Sequence, residues 1–243
     1  MKKIILLILI FACTFLASCN VFAIKDSTGA STSSPLAPSY TVKFRTNGGT
    51  AVSSLTCSTL VSAPKTEREG FEFLGWYRDE SCETPAIYPL EIKSNTTLYA
   101  KWLQLRYEAT GQNFSIKFMD NNKDSSKGFS VSPNLDFEAL AQKGYRVNVE
   151  ITYDVYYVKD YDVLWDIGYL GAPKFESYLY EGDKLMDKKE NVTATLSPKT
   201  KTLSFTTSAS SLRNADIRIV FSTDNIQNKI CFKNLSAVVT CFK

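Results

Sequence analysis

Histidine is absent from all 243 residues of the chain. Catalytic triads with a histidine base, histidine-ligated zinc sites and imidazole proton shuttles are therefore excluded, because each of them needs an imidazole. Only carboxylates, lysine, tyrosine or cysteine are left to transfer protons. Most enzymatic interpretations are weakened by this single absence.

A strong charge of either sign is also missing. The formal net charge of +3 falls to +1 if Lys2 and Lys3 are removed with a signal peptide. Nucleic-acid binding requires a clustered basic face, which a nearly neutral domain does not supply. We therefore expect no nucleic-acid partner.

The amino-terminal residues have the pattern of a cleaved secretion signal. A basic head at residues 1–3 precedes an apolar run at residues 4–16. This run is shorter than the roughly twenty residues of a membrane-spanning helix. Leu16-Ala17-Ser18-Cys19 resembles the lipobox of bacterial lipoproteins. The resemblance implies that Cys19 is acylated and becomes the first mature residue, which anchors the protein in the cell envelope, at the outer membrane or cell surface. An ordinary secretion signal with an incidental cysteine is the alternative.

The remaining cysteines suggest disulfides. After Cys13 is removed and Cys19 is acylated, the chain retains Cys57, Cys82, Cys231 and Cys241. An even number of cysteines in an oxidising compartment favours disulfide bonds. The simplest pairing is Cys57–Cys82 with Cys231–Cys241, although all three connectivities stay open. A structural zinc is disfavoured because no CxxC spacing occurs.

Composition and the positions of turn-forming residues divide the chain into four segments. A signal peptide at residues 1–18 precedes a flexible tether at residues 19–39, which is rich in Ser, Thr and Gly and has little to bury. Two β domains follow, at residues 40–102 and 103–243. The expected fold class is mainly β, with a small β-grasp-like domain followed by an antiparallel β-sandwich or jelly roll.

The first β domain carries a specific set of motifs. They are Val42-Lys43-Phe44, Asn47-Gly48-Gly49, Pro64, Gly70-Phe71, Phe73, Gly75-Trp76-Tyr77 and Asn95–Trp102. These features resemble the internalin-type B repeat, also called the listeria–bacteroides repeat. The resemblance implies a β-grasp-like extracellular module that acts as a spacer or contacts a ligand, without catalytic residues. Its aromatic residues Trp76, Tyr77, Tyr99 and Trp102 could stack on sugars, but a domain of this size needs large aromatics for its core, and we favour the core.

The second β domain shows alternation of period two. One face of a predicted strand carries Val147, Val149, Ile151, Tyr153, Val155 and Tyr157. Such alternation is typical of a half-buried strand in an antiparallel sheet. A short helix is predicted at Phe137–Gln142, with its start at Ser132-Pro133-Asn134. The order of elements is loosely similar to the galactose-binding-like jelly rolls of carbohydrate-binding modules.

Aromatic residues beside carboxylates indicate a candidate ligand surface in this domain. Its members are Tyr156, Tyr161, Asp162, Trp165 and Asp166. Aromatic faces stack on sugar rings while carboxylates accept hydrogen bonds from hydroxyl groups. Protein interfaces use the same residue types, so glycan and protein partners both stay open.

Two further patterns do not establish a site. Asp120–Asp124 begins like a calcium loop, but an EF-hand would need Gly and Glu where Ser125 and Val131 stand. A looser calcium site or a simple acidic turn remain as alternatives. No motif singles out a pair of carboxylates for glycoside hydrolysis. We expect a non-enzymatic, membrane-anchored adhesion or binding protein without a cofactor, with a structural spacer as the alternative.

Overall fold

A computed structural model of the protein describes residues 38–116, 126–159, 172–224 and 228–243. Strands dominate these ranges, which confirms the mainly β fold class. The chain forms two compact units. The N-terminal unit contains described residues 38–68 and Phe73–Lys101, and the C-terminal unit contains Glu69–Glu72 and the described part of Trp102–Lys243. Within the described ranges, no helix has the length and apolar character needed to cross a membrane.

The N-terminal unit is built on a mixed sheet. Its strands are β1 (Tyr40–Arg45), β2 (Leu55–Cys57), β3 (Thr59–Leu60), β4 (Phe71–Tyr77), β5 (Leu90–Glu91) and β6 (Thr96–Gln104). The sheet order is β2-β1-β6-β4, and β3 pairs with β5 separately. Strand β1 runs antiparallel to β2 and parallel to β6. The turn after β1 uses Asn47 at a positive φ of 48°, and its side-chain amide donates to the Ala100 carbonyl at 2.8 Å.

Trp76 lies at the centre of this unit. Its side chain is only 1% exposed and makes edge contacts with the rings of Phe44 and Phe73, at centroid distances of 4.9 and 5.5 Å. Its indole Nε1 donates a hydrogen bond to the Pro64 carbonyl at 2.8 Å. A buried indole with a satisfied N–H is a core residue, which confirms the expectation for Trp76.

The C-terminal unit consists of antiparallel sheets. Its strands are β7 (Arg106–Thr110), β8 (Phe114–Ile116), β9 (Ser126–Val131), β10 (Arg146–Lys159), β11 (Lys174–Glu181), β12 (Lys184–Thr193), β13 (Lys199–Ser208), β14 (Ile217–Ser222) and β15 (Asn228–Phe242). One sheet has the order β13-β10-β15-β7, with β8 also paired to β15. The other sheet has the order β12-β11-β14-β9. A short 3-10 helix spans Ser211–Asn214.

The two sheets pack face to face through aromatic side chains. Tyr153 of β10 meets Phe221 of β14 at a centroid distance of 4.8 Å, and Phe175 of β11 meets Phe232 of β15 at 5.4 Å. The alternation predicted for residues 147–157 is confirmed, because every second side chain of β10 is buried. Burial of each such large apolar side chain contributes about 1.5–3 kcal/mol. The architecture of this unit is that of a β-sandwich.

The predicted helix is confirmed with a later start. Helix α1 spans Phe137–Gln142 and is capped by Asp136, whose carboxylate accepts from the Ala139 N–H at 2.9 Å. Capping by a carboxylate satisfies an N–H that lacks a partner within the helix. The helix therefore begins after Asp136 rather than at Ser132-Pro133-Asn134.

The predicted disulfide between Cys231 and Cys241 is wrong. Both residues lie on the single strand β15, and both are thiols in the structure. At a rise of about 3.3 Å per residue, ten residues of extended strand separate them by roughly 30 Å. A disulfide requires Cα atoms about 4.4–6.8 Å apart. Closeness in sequence was misleading because this segment is one continuous strand.

The pairing of Cys57 with Cys82 is also wrong. Cys57 lies opposite Tyr40 on β1, whereas the Cys82 Sγ lies 3.9 Å from the Ala100 carbonyl oxygen on β6. The strand register places Ala100 about six residues further along the paired strands than Tyr40, which corresponds to roughly 20 Å. That separation excludes the bond, and Cys82 carries a thiol.

Candidate functional site

Only one residue of the predicted ligand surface falls within the described ranges. Tyr156 lies on β10, while Tyr161, Asp162, Trp165 and Asp166 lie outside the described residues. The lipid-attachment candidate Cys19 and the possible calcium loop at Asp120–Asp124 also lie outside them. For these residues the sequence-based hypotheses stay predictions.

Tyr156 occupies the outward face of its sheet and is half-buried. The Lys233 ammonium lies 5.0 Å from the centroid of its ring. Two residues earlier, Asp154 accepts hydrogen bonds from Thr200 Oγ1 at 2.6 Å and from Asn234 Nδ2 at 2.8 Å. These two bonds hold the pKa of the Asp154 carboxyl below its usual value. Tyr156 thus has a carboxylate on its face, but it is Asp154 and not one of the predicted partners Asp162 and Asp166, and both the ring and the Asp154 carboxylate already have partners within the sheet.

A second polar site lies in the opposite sheet, where the pairing of β11 with β12 is irregular. Phe175 pairs with Val192, and the next pair is Ser177 with Lys189. One residue of β11 is thus opposite two residues of β12, which is the geometry of a β-bulge. Asn191 sits in the bulge at a positive φ of 52°. Asparagine adopts this conformation more readily than most residues.

The bulge opens a polar cleft, which we call the bulge cleft. Its volume is about 290 Å³, and it is lined by Lys174, Phe175, Glu176, Asn191, Ser222, Thr223 and Asp224. This volume is close to the lower end of the range of about 300–1,000 Å³ for small-molecule sites. The cleft has room for one small polar ligand or one unit of a larger one.

Hydrogen bonds fix the walls of the bulge cleft. Thr223 Oγ1 donates to the Lys174 carbonyl at 2.7 Å, which ties the end of β14 to the start of β11. Ser222 lies directly opposite Glu176 in the register of these strands. Sites held by paired strands keep their geometry better than sites on loops. The walls of the cleft that lie on β11 and β14 are therefore held in place by the sheet.

Glu176 connects the bulge cleft to an aromatic residue. The Tyr178 hydroxyl donates a short hydrogen bond to Glu176 Oε2. This bond, together with burial, raises the pKa of the Tyr178 phenol to about 12, so the phenol stays a donor at neutral pH. The same bond orients the ring beside the cleft.

The polar groups of the cleft suit a ligand with many hydroxyl groups. Lys174 can donate, Glu176 and Asp224 can accept, and the Asn191 amide can do both. One lysine and two carboxylates give the lining a formal charge of +1 − 2 = −1. This excess negative charge repels an anionic ligand, does not repel a neutral ligand and attracts a cationic one.

Glu176 and Tyr178 are functional candidates that the sequence did not predict. A usable signal was present in Glu190-Asn191, which interrupts the alternation of a strand with a residue that tolerates positive φ. Neither the register nor the partner strand could be read from the sequence.

Comparison with known proteins identifies one part of the chain. Residues 40–101 match the family model of the Listeria-Bacteroides repeat domain, which confirms the predicted repeat. A protein of Evansella cellulosilytica named "Putative membrane protein" is 45% identical over 67 residues, which is 26% of this chain and 10% of that protein. A second protein of the same organism, "Putative Gly-rich membrane protein", is 37% identical over 67 residues, 26% of this chain and 8% of that protein. The chain thus spans about a tenth of the length of these relatives.

Solved structures show only distant likeness. A cyclase from Fischerella sp. TAU is 15% identical with a TM-score of 0.32, covering 49% of this chain and 56% of that one. A second structure from the same source, of a Stig cyclase, is 14% identical with a TM-score of 0.31, covering 85% of this chain and all of that one, 100%. At these scores the likenesses assign neither an activity nor a ligand.

Proposed function

We propose that this chain is a lipoprotein of the cell envelope that binds glycans without enzymatic activity. The lipid is attached at Cys19, residues 19–39 connect it to the β domains, and the C-terminal unit binds the ligand. The bulge cleft carries the proposal, because it combines hydroxyl-binding groups with a neighbouring tyrosine on a rigid sheet. Sugar recognition uses this combination of polar contacts and ring stacking.

Two observations support the envelope location. Leu16-Ala17-Ser18-Cys19 has the order of a lipobox at the end of a short apolar run. The relatives that share the repeat carry names that place them in membranes, although they share only this segment. A repeat of this kind beside a lipid-anchored tether fits a protein that presents a second domain outside the cytoplasm.

The N-terminal unit favours a supporting role. Trp76 is used by the core, and the Lys101 ammonium lies 5.0 Å from the centroid of the half-exposed Tyr77 ring. Its distinctive aromatic residues therefore contribute to its own structure. This observation also favours the alternative that the whole protein is a spacer or assembly lipoprotein without a small ligand. Its partners would then be proteins of the envelope or of a host.

A glycan array probed with the mature chain lacking its lipid tests the binding proposal. We expect binding to at least one class of glycan, and a loss of at least tenfold for Glu176→Gln, because the variant replaces a carboxylate acceptor in the cleft. Glu150→Gln is the matched control, since Glu150 is exposed on the outward face of the other sheet. Absence of binding to any glycan would favour the spacer. Cleavage of a bound glycan would contradict the non-enzymatic assignment.

Metabolic labelling with a fatty acid tests the anchor. The wild-type protein should incorporate the label, and Cys19→Ala should not, because the thiol that accepts the lipid is then missing. Cys13→Ala is the matched control, since Cys13 lies inside the predicted signal. Label retained in the Cys19→Ala protein would contradict the lipoprotein assignment.

A further inference from the structure

The outward face of the four-stranded sheet continues the bulge cleft along its strands. Tyr178 follows Glu176 by two residues on β11 and therefore lies on the same face, about 7 Å further along the strand. The ring is half-buried, and its hydroxyl is fixed to the Glu176 carboxylate. A ligand that fills the cleft and extends along β11 would next meet this ring.

The Tyr178 ring has an apolar neighbour on the β14 side, whereas Lys188 of β12 lies opposite it on the other side. Val220 lies opposite Tyr178 on β14, and Gly128 lies opposite Val220 on β9. A Cβ atom at position 128 would lie 2.0 Å from the Ile219 carbonyl oxygen, so the close approach of the two strands requires glycine there. We call Tyr178, Val220 and Gly128 the tyrosine shelf. Position 128 therefore places no side chain next to Val220.

Arg218 lies at the far end of the shelf and already has partners. The Arg218 guanidinium lies 5.1 Å from the centroid of the Tyr180 ring, and its Nη2 is 3.7 Å from Asp183 Oδ1. Tyr180 is thereby engaged within the sheet. The Tyr178 ring also contacts Tyr180, at a centroid distance of 6.4 Å, but it lies nearer the cleft, with its hydroxyl held by Glu176.

Size and charge together restrict the ligand. A cleft of about 290 Å³ accommodates a single sugar ring, whereas the shelf adds a flat aromatic surface for a second. The excess of carboxylates over lysine in the cleft lining, Glu176 and Asp224 against Lys174, disfavours acidic sugars.

We infer that the site binds a neutral or basic oligosaccharide of at least two residues, with one residue in the bulge cleft and the next stacked on Tyr178. This inference rests on the proposed glycan-binding function. It adds a minimum length of the oligosaccharide, an orientation along β11 and a preference for neutral or basic sugars over acidic ones. Each of the three can be tested separately.

Isothermal titration of the mature, unlipidated chain with three sugar series tests the inference. The probes are N-acetylglucosamine, glucosamine and galacturonic acid, each as the monosaccharide, disaccharide and trisaccharide. We expect the disaccharide of the neutral or basic series to bind at least tenfold more tightly than its monosaccharide. Acidic sugars should bind more weakly than neutral sugars of the same length.

Variants of Tyr178 locate the second sugar. Tyr178→Ala should abolish the gain from monosaccharide to disaccharide, and Tyr178→Phe should keep it, because the phenylalanine ring still stacks. Tyr178→Leu removes the ring while retaining apolar bulk, so it decides the question if the alanine variant fails to fold. Tyr107→Ala is the matched control, since Tyr107 is a half-buried tyrosine on β7 of the other sheet. Tyr156→Ala tests the ligand surface predicted from the sequence, which includes this residue.

The outcomes separate this inference from the proposed function. If no series binds at any length, this inference is overturned, and the glycan array then decides whether the proposed function falls with it. If oligosaccharides bind without a gain in length, or if the gain survives in Tyr178→Ala or Tyr178→Leu, the shelf assignment is overturned while glycan binding stands. Tightest binding by the galacturonic acid series would overturn the charge preference. Loss of binding in Tyr156→Ala alone would move the site to the other sheet.

Discussion

The two units differ in what their recognisable residues do. In the N-terminal unit, the motif residues serve the fold: Trp76 fills the core, Gly75 adopts a φ of 121°, and Asn47 forms a turn that is bonded to Ala100. The C-terminal unit has no comparable motif, yet it carries the bulge cleft and the tyrosine shelf. The part of the chain that is easiest to recognise is therefore not the part that offers the better site.

Size explains this difference. A unit of about sixty residues buries a smaller fraction of its surface than a larger domain, so its stability depends more strongly on each large core residue and each special turn. The larger sandwich distributes its core over many exchangeable side chains, such as Val149, Ile151 and Leu203. A strong motif in a small domain thus consists of residues that the fold itself requires. The candidate site of the larger unit lies at a local irregularity, the bulge at Asn191.

The largest expected effect tests whether Trp76 is a core residue only. Trp76→Ala should lower the free energy of unfolding of the N-terminal unit by about 3–5 kcal/mol, because it removes a buried indole and leaves a cavity. Hydrogen exchange of the full mature chain would show faster exchange at β1, β4 and β6. The C-terminal strands should be much less affected.

Tyr77→Ala on the same strand is the control for this change. Tyr77 is half-exposed, and its ring interacts mainly with Lys101, a contact worth about 0.5–1 kcal/mol. Its substitution should cost clearly less than that of Trp76. If Trp76→Ala instead left stability intact and abolished glycan binding, the motif residues of the N-terminal unit would serve binding rather than the fold.

A smaller effect is expected at the polar pair inside the sandwich. The hydroxyl groups of Tyr153 and Ser177 lie 3.0 Å apart and are fully buried. Tyr153→Phe should destabilise the C-terminal unit by about 1–3 kcal/mol, since it leaves the serine hydroxyl without this partner. The double variant with Ser177→Ala should cost less than the sum of the single variants. Additive costs in chemical denaturation would show that the pair does not interact.

Regular strands were predictable from the sequence because their pattern is local. The alternation at residues 147–157 predicted the buried face of β10, and the motif around Trp76 predicted the repeat. The same pattern also assigned Tyr156 to the outward face. In each case the side-chain period alone determines which residues share a face.

Features that depend on pairing between distant segments were not predictable. The cysteines were paired by closeness in sequence, but Cys231 and Cys241 stand on one extended strand. Likewise, Lys233 reaches the Tyr156 ring from β15, and Ser222 meets Glu176 from β14. Sequence periodicity contains no register between strands, so it could name candidate residues but could not assemble the site.

The buried thiols extend the comparison between the units. In the C-terminal unit, burial raises the pKa of the Cys241 thiol to about 11. In the N-terminal unit, burial raises the pKa of Cys82 and the charge of Asp79 adds to this, but the nearby Lys101 ammonium acts in the opposite direction. We therefore expect Cys241 to contribute more than Cys82 to a loss of folding stability at alkaline pH.

The smallest predicted effect follows from this difference. The pKa of Cys241 is raised from 9.0 to about 11 on folding, so the folded state holds a proton that the unfolded state releases in this range. The resulting stability is fully present below pH 9 and is lost as the pH rises towards 11, by about 1 kcal/mol at pH 10. Chemical denaturation between pH 8 and 10 measures it. Cys241→Ala should lower stability at pH 8 through lost packing but flatten the dependence on pH, whereas Cys82→Ala should flatten it less. An unchanged slope in Cys241→Ala would mean that this thiol ionises equally well in the folded and unfolded chain.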